Sequence, residues 1–180
     1  MATASRKTAA KAPTKTTARK TPSSAAAPDA IALLRADHKR VAALYDQYEN
    51  TRSASKKKAL VATICQELSI HAQVEEEIFY PAVKAALKDK ELVPEATVEH
   101  ATLKELIAQV QDKEPDGEMF DAKIQVMSEY TKHHVKEEQN EMFPKARATK
   151  LDMIALGEQM AAQGESVQFC VTIMEKLRGL

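Results

Sequence analysis

Ile31, Leu34, His38, Val41, Tyr45 and Tyr48 fall at alternating steps of three and four residues. Val93, Ala96, His100, Leu103, Ile107 and Val110 repeat that series position for position, 62 residues later. Such steps return to one face of an α-helix, because a turn holds about 3.6 residues. A second series, Val61, Ile64, Leu68, His71, Glu75 and Ile78, recurs 63 residues later as Ile124, Met127, Thr131, His134, Glu138 and Glu141. Four seams joined by short connections fold most simply as an up-down-up-down four-helix bundle. The chain is therefore expected to be all-α and built from two copies of one helical hairpin. Four Gly and a 44% apolar, 4% aromatic composition agree with that class.

The polar residues on these seams carry the chemistry. His38 and His100 stand where a hydrophobe is expected, and the other seams each hold two consecutive polar positions, His71-Glu75 and His134-Glu138. The surrounding stretches, HAQVEEEIFYP from His71 and HVKEEQNEMFP from His134, share the His, the Glu four residues on, an aromatic at Tyr80 or Phe143, and Pro. Helix positions i and i+4 lie on one face about 5–6 Å apart, so each pair offers one metal both an imidazole nitrogen and a carboxylate oxygen. Counted from the loop ends, all four His reach a similar depth, roughly 18–24 Å along their helices. A single His on an apolar face is usually a core residue. Six polar residues in one repeating register are costly to bury without a cation. His38, His71, Glu75, His100, His134 and Glu138 are thus the candidate metal ligands. Mixed nitrogen and oxygen donors with open positions suit non-haem iron, then manganese, cobalt or zinc. A His-Glu-x-x-His protease motif is absent.

His133 and Glu137 form a competing pair at the same spacing. In that frame the seam would run through Glu129 or Tyr130, His133, Glu137 and Asn140, which is poorly apolar, and the distance to Pro144 favours His134. Glu76, Glu77 and Glu99 read as solvated or outer groups, and Phe79, Tyr80 and Phe143 as core packing.

The remaining organisation is simpler. Residues 1–28 read as a disordered basic tail, with six Lys or Arg, no acid and almost no large apolar residue. Such a tail can make weak, salt-sensitive contact with nucleic-acid phosphates. Residues 29–146 read as the bundle, and 147–180 as a helical extension of one or two helices that covers an open end or forms a dimer seam. Pro81 is expected to end or kink the second helix, with a short helical stretch following from Ala82 to Lys88. The third helix is expected to begin near Pro94. Two Cys suggest neither a disulfide framework nor a thiolate zinc site. No apolar run approaches the length of a membrane span, and a cytoplasmic location is expected.

The constellation Asp37-His38, His71-x-x-x-Glu75 with Glu76, Glu99-His100 and His134-x-x-x-Glu138, with Tyr80-Pro81 and Phe143-Pro144 downstream, resembles the haemerythrin-like (HHE cation-binding) family over about residues 29–146. That resemblance implies two iron ions, Fe2+ or Fe3+, joined by carboxylate and oxo or hydroxo bridges and reacting with dioxygen, nitric oxide or peroxide. It makes His38, His71, His100 and His134 terminal ligands, and Glu75 and Glu138 the bridges. Oxygen-carrying members have a further ligand His one turn after the position of His100, where this chain has Lys104, whose ammonium has no lone pair. Four His and two Glu look more like the iron-centre repair branch, although the Cys-bearing segment of many such proteins has no counterpart here.

Three functions are therefore expected, in order. The first is a non-haem di-iron protein that binds dioxygen or nitric oxide, or handles iron under oxidative or nitrosative stress. The second is a di-iron enzyme that removes peroxide or oxidises iron. The third is a DNA-associated protein whose metal is structural.

Overall fold

The computed structural model describes Met1, residues 29–88 and residues 90–178, with side chains as far as Phe169. The basic tail expected over residues 1–28 lies outside the described residues, apart from Met1.

Every described element is helical. α1 spans Ala30–Glu49, and the Asp29 side chain caps it by accepting from the Ala32 N–H at 2.9 Å. α2 spans Ala54–Val74 behind an N-cap at Ser53. The backbone then continues without a break through a π-helical turn, π1, Glu75–Phe79, into α3, Tyr80–Leu87. Lys88, at φ 54, turns the chain out of α3. α4 is Leu92–Val110, and Gly117, at φ 119, supplies the left-handed backbone that leads into α5, Glu118–Glu137. A second π turn, π2, Glu138–Met142, runs into α6, Phe143–Arg147. α7 is Met153–Arg178.

α1 packs against α2 and α5, and α4 packs against the same two helices, so the four seams face one axis, except at Ile78 and Glu141. Ile78 is half-buried and Glu141 is exposed, because π1 and π2 turn Phe79 and Met142 inward instead. This is the expected bundle. The C-terminal extension is one continuous helix, laid along α1, α2 and π1. It buries Leu156 and Met160 against the bundle. No described helix is long and apolar enough to cross a membrane.

Pro81 neither ends the second helix nor leaves a gap in it. In π1 the Tyr80 N–H bonds the Glu75 carbonyl, five residues back, so a new α-helical segment starts in place with Pro81 in its first turn. A missing N–H costs nothing there. Pro144 is handled identically: the Phe143 N–H bonds the Glu138 carbonyl and Pro144 follows. Pro94 likewise sits inside the first turn of α4, which starts two residues earlier than expected.

The buried apolar residues form two blocks. One, at the end covered by α3, α6 and α7, includes Ile31, Leu34, Phe79, Val83, Val93, Phe143 and Met160. The other includes Val41, Tyr45, Ile64, Leu68, Leu103, Ile107, Ile124 and Met127. Cys65 belongs to the second block, and burial, then the charge of Asp112, push its thiol up to about 12. Between the blocks lies a layer of buried polar side chains.

Candidate metal centre

That layer contains His38 from α1, His71 from α2, His100 from α4, His134 from α5, and Glu75 and Glu138, the first residues of π1 and π2. All six candidate residues converge there, and all are buried. π turns replacing an α turn recur at functional sites, because the extra residue re-aims the side chains around it.

The imidazoles meet in two pairs. Nε2 of His38 lies 3.1 Å from Nε2 of His71, and Nε2 of His100 lies 3.1 Å from Nε2 of His134. Each carboxylate reaches one imidazole of each pair. Glu75 Oε2 is 3.2 Å from His71 Nε2 and 3.4 Å from His100 Nε2. Glu138 Oε2 is 3.2 Å from His38 Nε2 and 3.6 Å from His134 Nε2. Two donors each about 2.0–2.2 Å from one ion stand about 2.8–3.6 Å apart as their angle goes from 90° to 110°. The observed separations all fall in that range.

The outward nitrogens are held as well. His134 Nδ1 lies 2.6 Å from Glu99 Oε2, and His100 Nδ1 lies 3.1 Å from Glu76 Oε1. The Gln139 amide is 3.1 Å from His38 Nδ1. Asp37 Oδ2 is 3.6 Å from His71 Nδ1, an ion-pair contact too long for a hydrogen bond. Such partners fix the ring so that Nε2 points inward. Two of these carboxylates are themselves clamped, Asp37 by Arg40 at 2.8 Å and Glu76 by Lys104 at 2.7 Å. Glu76 and Glu99, read from sequence as solvated or outer groups, thus orient two of the imidazoles. Lys104 adds no donor to the centre; it neutralises the carboxylate behind His100.

The sequence places Tyr80 in the core but does not show its polar role. Its hydroxyl donates to Glu138 Oε1 at 2.9 Å, and lies 3.3 Å from Glu75 Oε2 and 3.3 and 3.4 Å from Nε2 of His100 and His134. It is part of the polar layer as well as of the core. Its counterpart in the second repeat, Phe143, has no hydroxyl and stacks on the His38 ring with centroids 5.9 Å apart. The difference between Tyr and Phe at equivalent positions was the available signal.

Burial sets the electrostatics. Burial, then the charge on His71, lowers His38 to about 3. Burial opposes the cation at His71 too, but the Glu75 carboxylate and then Asp37 outweigh it and hold that ring well above the usual imidazole value. For Glu75 burial is outweighed by His71 and a hydrogen bond from His100, and its pKa is lowered. Burial, then the charge of Glu75, pushes Glu138 up to about 8. Burial and both carboxylates raise the Tyr80 phenol, which therefore keeps its proton.

Two atoms test the fit to a cation. Glu75 Oε1 and Glu138 Oε2 are buried acceptors with no hydrogen-bond donor. An unmatched buried carboxylate oxygen is expensive, and a cation beside the imidazoles would satisfy Glu138 Oε2, which lies 3.2 Å from His38 Nε2 and 3.6 Å from His134 Nε2. Next to the four rings is a small cavity with Val41, Leu68, Leu103 and Val135 in its wall.

His133 and His134 are separated by burial. The His134 side chain is 6% exposed and in the layer, whereas the His133 side chain is 58% exposed at the surface.

Comparison with known proteins identifies the family and the fold. Residues 29–146 match the family described as Hemerythrin HHE cation binding domain. A hemerythrin HHE cation binding domain-containing protein, the Rv2633c homologue of Mycobacterium kansasii, has the same fold, with a TM-score of 0.69 at 24% identity over 84% of this chain and 93% of that one. A DNA nickase of Nostoc sp. is 24% identical over 115 residues, 64% of this chain. The chain spans about a third, 32%, of that relative's length. The buried His and Glu clusters fit a metal-binding site. This chain belongs to the Hemerythrin HHE cation binding domain family.

Proposed function

We propose that the chain holds two metal ions, iron in preference to manganese or zinc, and binds dioxygen or nitric oxide at them. His38, His71, His100 and His134 are the terminal ligands in this reading, and Glu75 and Glu138 the bridges. The observation that carries it is the span of each carboxylate between the two imidazole pairs. Iron supplies a reducing centre with exchangeable positions, which nitrogen and carboxylate donors accommodate. The residues around it do the rest. Glu76 and Glu99 hold two imidazoles in orientation. Val41, Leu68, Leu103 and Val135 line the small space beside the four rings.

Tyr80 supports a second reading, removal of peroxide. Its protonated hydroxyl lies against both carboxylates and supplies a proton donor where oxygen–oxygen cleavage needs one. Metal analysis of protein expressed in iron-replete cells tests the centre. Rapid-mixing spectra of the reduced protein with oxygen, nitric oxide or peroxide then separate the two readings. A stable, reversible band supports binding, and multiple turnovers support an enzyme. Absence of any transition metal would defeat both.

The name of the Nostoc relative bears on the third expectation, a DNA-associated protein whose metal is structural; the basic residues 1–28 are where contact with nucleic acid is expected. Deleting residues 2–28 is expected to abolish any gel shift on DNA, and unchanged retention would exclude this role for the tail.

A further inference from the structure

The three carboxylates behind the imidazoles are not treated alike. Arg40 clamps Asp37, and Lys104 clamps Glu76. Among the described residues Glu99 has no Lys or Arg partner. Its second oxygen, Oε1, instead faces His133 Nε2 at 3.6 Å, and that nitrogen lies 3.3 Å from Glu137 Oε1. The three donor atoms lie within 4.8 Å of one another. At 3.6 Å the first contact is too long for a hydrogen bond. Both separations nevertheless match donors about 2.0–2.2 Å from a shared tetrahedral ion, which stand about 3.3–3.6 Å apart.

We propose that Glu99, His133 and Glu137 form an outer divalent-cation site from which the buried centre is loaded. The proposal rests on the reading of the buried centre given above. One imidazole and two carboxylates, with water in the open position, suit Fe2+, Mn2+, Co2+ or Zn2+. The site joins the interior in two ways. Glu99 is shared, with Oε1 on the outer cluster and Oε2 on His134 Nδ1, so an outer ion sits one carboxylate away from a ligand of the inner one. A small crevice lined by Glu95, Glu99 and Glu137 also touches His134 and Glu138. Carboxylates along a cleft concentrate cations and raise their rate of entry. A lone surface His–Glu pair would make no such connection and would contribute little to stability.

The test uses the full chain stripped of metal and Co2+ alone as probe. Bound Co2+ is counted at equilibrium, and filling is followed by visible absorption after rapid mixing. His133→Ala and Glu137→Gln both change exposed or half-exposed side chains on α5. The wild type is expected to take up a third, weaker equivalent that both variants lose. Filling of the buried centre is expected to be about tenfold slower in the variants and to reach the same final level. Unchanged filling rates, or an unchanged Co2+ count, would overturn the proposal. If His71→Ala and His134→Ala leave tight Co2+ uptake intact, it is the buried centre that fails, and the loading role falls with it.

Discussion

Glu99 holds the Nδ1 face of His134 at 2.6 Å, across from α4 to α5. Burial opposes its charge, but the bond to His134 and that ring's charge more than compensate and hold its pKa below the usual carboxylate value. The carboxylate therefore remains charged behind the imidazole. Glu99→Gln keeps the size and removes the charge, and is expected to weaken metal binding about 10–100-fold while the fold survives. Competition with a chelator of known affinity measures this, and an unchanged constant would mean that Glu99 is only a packing group.

His134→Ala is expected to remove most of the metal from the His100 side of the centre, because it deletes one of the two imidazoles there. His133→Ala is expected to leave the buried metal in place. Metal analysis of the two purified variants checks the pair, and the reverse result would exchange the roles of these neighbours.

Tyr80→Phe is expected to preserve both fold and metal content, since Phe143 fills the equivalent position in the second repeat without a hydroxyl. If the phenol is the proton donor, peroxide turnover falls by about 10²–10⁴-fold, the usual worth of a positioned acid. The rate of nitric oxide binding should change far less. Equal peroxide turnover in variant and wild type would remove the reason for the second reading.

Metal uptake is expected to depend on pH. In the metal-free protein Glu138 is pushed up to about 8 and His71 sits well above the usual imidazole value, so both carry protons at neutral pH. Each must lose its proton to become a ligand. Binding therefore releases protons, and apparent affinity rises as pH climbs from 6 towards 8 and falls in acid. His38, lowered to about 3, is already neutral across that range and adds nothing to the slope. Zinc competition titrations at several pH values check this, and a flat profile would contradict it.

Asp29 caps α1 and also pairs with Arg147, both oxygens lying 3.0 Å from Nη2, which ties the start of the bundle to the end of α6. Asp29→Ala is expected to cost about 1–2 kcal/mol, chiefly through the cap. Asp29→Asn keeps the cap and loses only a half-exposed ion pair, a change of less than about 1 kcal/mol. Chemical denaturation of metal-loaded protein compares them.

The bundle was legible because its seams repeat, and a repeat at 62 and 63 residues fixes which residues share a level. His38 and His100 stood out for the same reason: each breaks an otherwise apolar series. The π turns were not legible, because five residues wound by one extra position leave no periodic trace, and the prolines beside them signal a helix end. Tyr80 was hidden behind the ordinary role of an aromatic on a core seam. Arg40, Lys104 and Glu99 were hidden differently. Their partners lie on other helices, and pattern within one helix says nothing about a contact between two.

π1 and π2 each hold one residue more than the α-helical turn they replace. Deleting a single residue between Glu76 and Phe79 would let the backbone rewind as a plain α-helix, with Glu75 still on its seam. The π turn already absorbs that residue, so everything downstream would keep the face it has now, with Phe79 and Val83 still in the core. The extra residue thus sets the local aim of Glu75 and Glu76 rather than the register of α3, and the fold would bear a one-codon deletion there better than one within α2, which would turn all that follows by about 100°.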